Sequence, residues 1–353
     1  MTTVWLRDED KAFEKRTPLT PENAKKLIDA GYKVIVEKSK DRIFPIEEYK
    51  KIGCEIKESH AWITEAPVGD DVFILGLKEL KETDDFPLKH NHIYFAHIYK
   101  GQNGSQKVFD RYRNGTGTLF DLEFLLNEDR RRVAAFGYWA GYVGAALSIE
   151  NFFSNGPATL RHYSSKDEWL KIINEKRTGK QNPSTFIIGA LGRCGSGARE
   201  LLTDLGLESI NWDIQETKVG GPFAEILNAD IFINTVLMTS KIPPFLDKSL
   251  MEKNKKLSYI CDVSCDPNSE LNPIPVYDVH TTWDNPLHKI ESSIDHECNI
   301  IAIDNLPSAL PKESSIDYSN QLIPHLLELK NAKEYFTWAH AKEIFEAKKS
   351  ANK

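Results

Sequence analysis

A chain of 353 residues is long enough for two domains that each bury a core, and its balance of 41% apolar and 27% charged residues is that of a globular protein. A net charge of −7 offers no basic face to nucleic acid, and Asp8 and Glu9 stand where a signal peptide has its apolar centre, so a cytosolic protein is expected. Five cysteines, Cys54, Cys194, Cys261, Cys265 and Cys298, lie scattered with no Cys-x-x-Cys spacing, which predicts reduced thiols and no metal site.

Residues 3–6 read as a strand. Thr20 then opens a helix as its capping residue, Pro21 occupies the first turn, and Gly31 stops it. Residues 33–37 return as a strand, 46–52 suggest a short helix, and 72–75, 93–96 and 117–120 are three further strands. This alternation of strand and helix predicts a parallel sheet.

Residues 133–149 carry no charge and touch the lower length limit of a membrane span. Gly137, Gly141 and Gly144 among several alanines make the segment instead a small-residue helix suited to close packing between domains, and no membrane association is expected. A polar connection follows over 155–183. A second series of strands is then predicted at 186–188, 210–212, 231–234, 257–261 and 299–303, and a helical pattern at 318–349 that packs back onto the first domain. The expected architecture is α/β, with two Rossmann-like domains of parallel-type sheets and a cleft between them. One domain comprises 1–135 and 318–353, the other 136–317.

The second series begins where the apolar run 185–188 stops at a glycine cluster, Gly189, Gly192, Gly195 and Gly197, and a helical pattern follows. A strand feeding such a turn presents backbone N–H groups to a dinucleotide pyrophosphate, and side chains at those glycines would obstruct it. Asp213 ends the next strand, placed to accept from a ribose hydroxyl and to repel a 2′-phosphate, which favours NAD over NADP. The frame departs from G-x-G-x-x-G by Ala190 at its first position, and a tight strand-to-helix turn without nucleotide is the plain alternative. Cys194 in this turn is either a thiol activated by a helix N-terminus or a small residue that fits there.

Ligands of open α/β sheets bind beyond the carboxyl ends of strands. Lys78 and Glu79, His97, and Glu123 all follow apolar runs in the first series, so a lysine, a histidine and two carboxylates share one rim. Singly, Lys78 reads as a solvated loop charge and His97 as a core histidine; their joint occurrence with Lys11, Glu14 and Arg16 favours a site.

Glu14-x-Arg16-x-x-Leu19-Thr20-Pro21, Gly76-Leu77-Lys78-Glu79, Phe95-Ala96-His97-x-Tyr99-Lys100, Leu119 to Phe124, Arg131 to Gly137, the glycine turn and Asp304-x-Leu306-Pro307-Ser308 together resemble the NAD-dependent, lysine-forming saccharopine dehydrogenases of the fungal α-aminoadipate pathway, over about residues 3–345. The Glu-x-Arg and Lys78 elements are similar also to alanine dehydrogenase and the soluble domain of proton-pumping transhydrogenase. Arg193 to Gly197 and Asp304 to Ser308 single out the saccharopine enzymes.

The resemblance implies that NAD accepts hydride from the secondary amine of saccharopine, after which water cleaves the imine to lysine and 2-oxoglutarate. It assigns catalysis to Lys78, which takes the amine proton, and to His97, which serves water addition and carbinolamine collapse. Substrate binding falls to Arg16, Lys11, Lys100, Gln102, Arg132, Phe136, Glu79, Glu123, Ser264 and Asp266. A substrate with three carboxylates needs several cations, and arginine's planar fork suits carboxylates. Cofactor binding falls to Arg131, Gly192, Arg193, Asp213, Thr217, Leu237, Val263, Ile303, Asp304, Asn305 and Leu306, with Asp304 equally readable as a helix cap. Cys265 receives no role. The expected partner is this small molecule, bound by a monomer. An alanine dehydrogenase-like enzyme and a non-catalytic NAD-binding sensor are the competing readings.

Overall fold

Most of the short apolar runs become strands buried on both faces, the pattern of a parallel sheet covered by helices. The structure, a computed structural model that describes residues 1–352, divides into two units: Met1–Ala135 with the segment from Ser314 onward, and Phe136–Glu313. The return to the first unit falls at Ser314, ahead of residue 318.

In the first unit, β1 (Thr3–Leu6), β2 (Lys33–Glu37), β3 (Glu55–Lys57), β4 (Val72–Leu75), β5 (Asn91–Tyr94) and β6 (Thr118–Asp121) pair in the order β3-β2-β1-β4-β5-β6, parallel throughout. Strand β1 lies between β2 and β4, so the loops leaving the carboxyl ends of β1 and β4 emerge side by side, at a topological switch point. Strand β3 and the helix Ser105–Gly115 have no clear sequence signal. The former is three half-buried residues with one apolar member, and the latter follows Gly104 with no capping side chain.

In the second unit, β7 (Thr185–Ile188), β8 (Ser209–Trp212), β9 (Ile231–Asn234), β10 (Tyr259–Asp262), β11 (His288–Lys289) and β12 (Asn299–Ile301) pair in the order β11-β12-β10-β9-β7-β8, with only β11 antiparallel. Here the switch lies at β7, between β8 and β9. Side chains along β7 alternate between faces: Ile187 joins the cluster around Val143 and Ala146, while Phe186 and Ile188 join Phe232 and Ile260.

Three expectations need correction. The small-residue helix is Gly137–Phe153, and its glycines pack inside the second unit rather than between domains. A Cβ on Gly141 would lie 1.8 Å from the Cys194 carbonyl oxygen, and one on Gly144 would lie 2.9 Å from Cys261 Sγ. The polar connection holds a helix, Lys166–Arg177, whose cap Ser165 accepts from the Glu168 N–H and whose Trp169 and Ile173 are buried. The C-terminal helical pattern is interrupted: Pro311–Leu326 and Phe336–Ala351 flank a short 3₁₀ turn, Leu329–Asn331. This segment does pack on the first unit, where Ser315 Oγ accepts from the Thr17 N–H at 3.0 Å and Trp338 lies 5.6 Å from the Phe120 ring. No helix among the described residues is long and apolar enough to cross a membrane.

Candidate active site

The rim of the first sheet gathers the titratable residues that the sequence points to. His97, three residues beyond β5 and at a φ of 51°, hydrogen-bonds through Nδ1 to Glu79 Oε1, and Lys11 Nζ stands 4.0 Å from the other Glu79 oxygen. Burial pushes the Glu79 carboxyl up, but the His97 hydrogen bond and the charges of His97 and Lys78 outweigh it and bring it to about 2. The same hydrogen bond raises His97 above its ordinary value, against burial and Lys78. The imidazole is thereby biased toward its protonated form and held in one orientation.

Glu123 organises a second group. Lys100 Nζ lies 2.8 Å from Glu123 Oε1, Arg132 approaches the same oxygen at 3.6 Å and donates through Nε to the Glu123 carbonyl, and Gln102 accepts from the Lys100 N–H. Arg16 differs from the expected open cation: it is buried and grips Glu14 through Nε and a terminal nitrogen, at 2.8 and 2.6 Å. Burial opposes Glu14's ionisation, yet Arg16 above all, with Lys78, brings its carboxyl below the ordinary range. Each expected substrate cation of this rim thus has an acidic partner, so a polycarboxylate would enter by exchanging partners. A cavity of about 360 Å³ opens beside the cluster, lined by Lys11, Glu79, His97, Gln102, Lys107 and Arg111.

Sequence reasoning passed over three residues of this rim. Asp121, at the end of β6, accepts from the Glu123 N–H, and burial raises its carboxyl to about 6. Arg7 directly follows β1 and is buried, and Glu9, two residues further on, has its side chain almost covered. The rule that found Lys78, polar residues directly after an apolar run, finds them too when applied to β1.

In the second unit the glycine turn departs from expectation in an instructive way. Gly189 sits at a φ of 84°, open only to glycine without strain, and Gly192 is exposed at the head of the helix Arg193–Asp204, where no side chain caps it. Gly195 and Gly197 face protein instead of a ligand: a Cβ would lie 2.2 Å from the Gly189 carbonyl oxygen and 1.9 Å from that of Tyr138, respectively. They allow the helix to pack closely on the strand and on its neighbour. Cys194 is not an activated thiol, because burial raises it more than Arg193 lowers it.

Asp213 directly follows β8, accepts from the Leu191 N–H of the glycine turn at 2.8 Å, and also caps the short helix Ile214–Thr217. Thr217 Oγ1 donates to the Asp213 carbonyl. Leu237 and Arg193 are exposed, whereas Ile303 and Leu306 lie in the core and offer a ligand their backbone only. Asp304 is exposed and caps nothing: the 3₁₀ turn Leu306–Ala309 has Asn305 at its cap position, and Asn305 Oδ1 accepts from Trp283 Nε1. Ser264 donates to Asp262 beside the half-buried Val263, Asp266 is exposed, Arg131 is exposed and Phe136 half-buried. An uncapped helix N-terminus and an exposed arginine on its first residue as donors, with the Asp213 carboxylate as acceptor, fit a dinucleotide.

The two sheets, the glycine turn and the acid-paired rim define a two-domain nucleotide-dependent dehydrogenase fold. The descriptions "Alanine dehydrogenase/PNT, N-terminal domain" and "Alanine dehydrogenase/PNT, C-terminal domain" match residues 5–143 and 185–350. Within that group the chain belongs to the saccharopine dehydrogenase family. It is 45% identical to the saccharopine dehydrogenase (NAD+, L-lysine-forming) of Emericella nidulans, covering 98% of this chain and 96% of that one. Its identity to the enzyme of the same name from Schizosaccharomyces pombe is 42%, covering 97% of each. A solved L-alanine dehydrogenase shares the fold, with a TM-score of 0.68 at 16% identity over 98% of this chain and 93% of the other.

Proposed function

We propose that this chain cleaves saccharopine oxidatively, with NAD and water, to L-lysine and 2-oxoglutarate, the last step of lysine synthesis by the α-aminoadipate route. The observation that carries this reading is the near-full-length identity of 45% to an enzyme of that name. The rim supports it chemically. Saccharopine brings three carboxylates, and Lys11, Arg16, Lys100 and Arg132 bring cations to one sheet edge, more than a small keto acid needs.

In this reading Lys78 takes the proton from the secondary amine during its oxidation. His97, its ring held by Glu79, moves protons as water adds to the imine and the carbinolamine collapses. Glu79 and Glu123 set the charge of the site and hold its cations. NAD, when bound, supplies the hydride acceptor. Gly192 and Arg193 would hold its pyrophosphate, and Asp213 and Thr217 its adenosine ribose. Leu237, Val263, Arg131 and residues 303–306 complete its surroundings, with Ser264, Asp266 and Phe136 toward the substrate. A cytosolic location and action as a monomer belong to the same reading.

The test is NADH appearance with saccharopine, set against NADH consumption with 2-oxoglutarate plus lysine and with pyruvate plus ammonia. Turnover of pyruvate and ammonia with saccharopine inert would transfer the chain to the alanine dehydrogenase reading, and NAD binding without turnover of any pair would make it a sensor. Sedimentation at working concentration checks the monomer.

A further inference from the structure

The loop after β1 places two charged residues where charges are rarely found. Arg7 is 1% exposed and the Glu9 side chain 8% exposed, with 3.4 Å between a guanidinium nitrogen and a carboxylate oxygen. A buried ion pair recovers little net stability, because desolvating both partners costs several kcal/mol. What distinguishes this pair is where its remaining hydrogen bonds go.

Glu9 accepts from the Leu77 N–H at 2.6 Å through one oxygen and from the Lys78 N–H at 2.9 Å through the other. Arg7 donates to the Lys78 carbonyl through one terminal nitrogen and to the Asp8 carbonyl through the other. The pair therefore holds residue 78 at both its N–H and its C=O. Its bed is prepared as well: a Cβ on Gly76 would lie 2.3 Å from Arg7 Nε, so only glycine leaves room for the guanidinium, which also lies 5.7 Å from the Tyr94 ring centroid. On the far side the Glu37 carboxylate accepts from the Asp8 N–H at 2.9 Å, and Arg42 donates to the Arg7 carbonyl at 3.0 Å, which ties the loop to the end of β2.

We propose that Arg7 and Glu9 are positioning residues that clamp the Lys78 peptide units and so set where the Lys78 ammonium stands relative to Glu14, Glu79 and His97. The inference rests on the catalytic reading of Lys78 given above. Charge-assisted hydrogen bonds are short and directional, which suits them to fixing a backbone rather than filling a core. A catalytic group displaced by roughly 1 Å loses on the order of 10²-fold in rate. The charge of Lys78 acts on Glu14, Glu79 and His97 alike, so its displacement also changes how the site titrates.

Two substitutions reach the clamp independently. Glu9→Gln keeps the shape but removes the charge and one acceptor, and Gly76→Ala leaves both charged residues in place while driving the guanidinium off its bed. Each variant is assayed for kcat and KM with saccharopine, for NAD affinity, and for the pH midpoint of Lys78 acetylation by trace acetic anhydride, with the exposed Lys255 as internal reference. The expected result is a fall in kcat of about tenfold to hundredfold with KM and NAD affinity changed far less. The Lys78 midpoint moves while that of Lys255 stays, and Glu9→Asp recovers part of kcat. A Lys78 midpoint unmoved in a folded variant, with or without loss of activity, overturns the proposal and leaves the pair a structural tie. Because acetylation reads the Lys78 amine directly, full activity of Lys78→Met would defeat the catalytic reading of Lys78 and still leave the clamp to be decided by the midpoint.

Discussion

The two sheets offer the same opportunity at their switch points and fill it with opposite materials. Between β7 and its neighbours the chain makes a glycine turn that bares its backbone, with Gly189 at positive φ, Gly192 exposed and the following helix uncapped. Between β1 and β4 it buries Arg7 and Glu9 and presents Lys78, Glu79 and, from the next strand, His97. The difference follows from what each rim would handle. An anion is bound by backbone N–H groups that a Cβ would keep at a distance, whereas moving protons requires titratable groups whose spacing sets their affinities.

The comparison predicts that losses at the two switch points separate, in rate at one and in NAD affinity at the other. The largest effect is expected from Lys78→Met, which should cost about 10²–10⁴ in the rate of saccharopine oxidation with NAD affinity retained. Steady-state kinetics beside an NAD titration check it, and a fully active variant would return Lys78 to a solvated loop charge.

Asp213→Ala is the counterpart at the other switch point. Losing a charged hydrogen-bond partner costs about 1.5–3 kcal/mol, so NAD affinity should fall by roughly one to two decades while NADP affinity falls much less. Equal losses for both cofactors would mean that Asp213 merely ties the Leu191 N–H and caps its helix.

Gly197→Ala sharpens the reading of the glycine cluster. Its Cβ would meet the Tyr138 carbonyl oxygen, not a ligand, so thermal unfolding should reveal a loss of about 1–3 kcal/mol from overpacking, with NAD affinity per folded molecule preserved. Weakened NAD binding in a variant of normal stability would restore Gly197 to the ligand side.

The smallest effect concerns pH. Glu79 holds its carboxyl at about 2, below the ordinary 4.5, so its share of stability is present above 4.5 and fades as pH falls toward 2. His97 is raised above 6.5, so its share is full below 6.5 and is lost as pH rises through the higher folded value. The gap in melting temperature between the native chain and Glu79→Gln should therefore be widest between these ordinary values and close on either side. With the His97 and Glu79 side chains 40% and 32% exposed, solvent screening keeps the stability difference behind that gap under about 1 kcal/mol. The same variant should lower the His97 midpoint followed by NMR; an unmoved midpoint would detach Glu79 from His97.

By itself the sequence determined the α/β class, most of the strands, the glycine turn and the rim residues that directly follow apolar runs. Each is written locally, in four-residue runs, in glycines with no substitute at positive φ, and in polar residues at strand ends. Only the tertiary structure decided that Gly195 and Gly197 serve packing, that Arg16 is spoken for by Glu14, and that Cys194 is muted by burial. It alone brought Arg7 and Glu9 onto the backbone of Lys78, 71 and 69 residues away in the chain. The reason is physical: a glycine's freedom and an apolar run belong to a segment, but the occupancy of a guanidinium or the affinity of a carboxyl depends on neighbours that only strand order brings together.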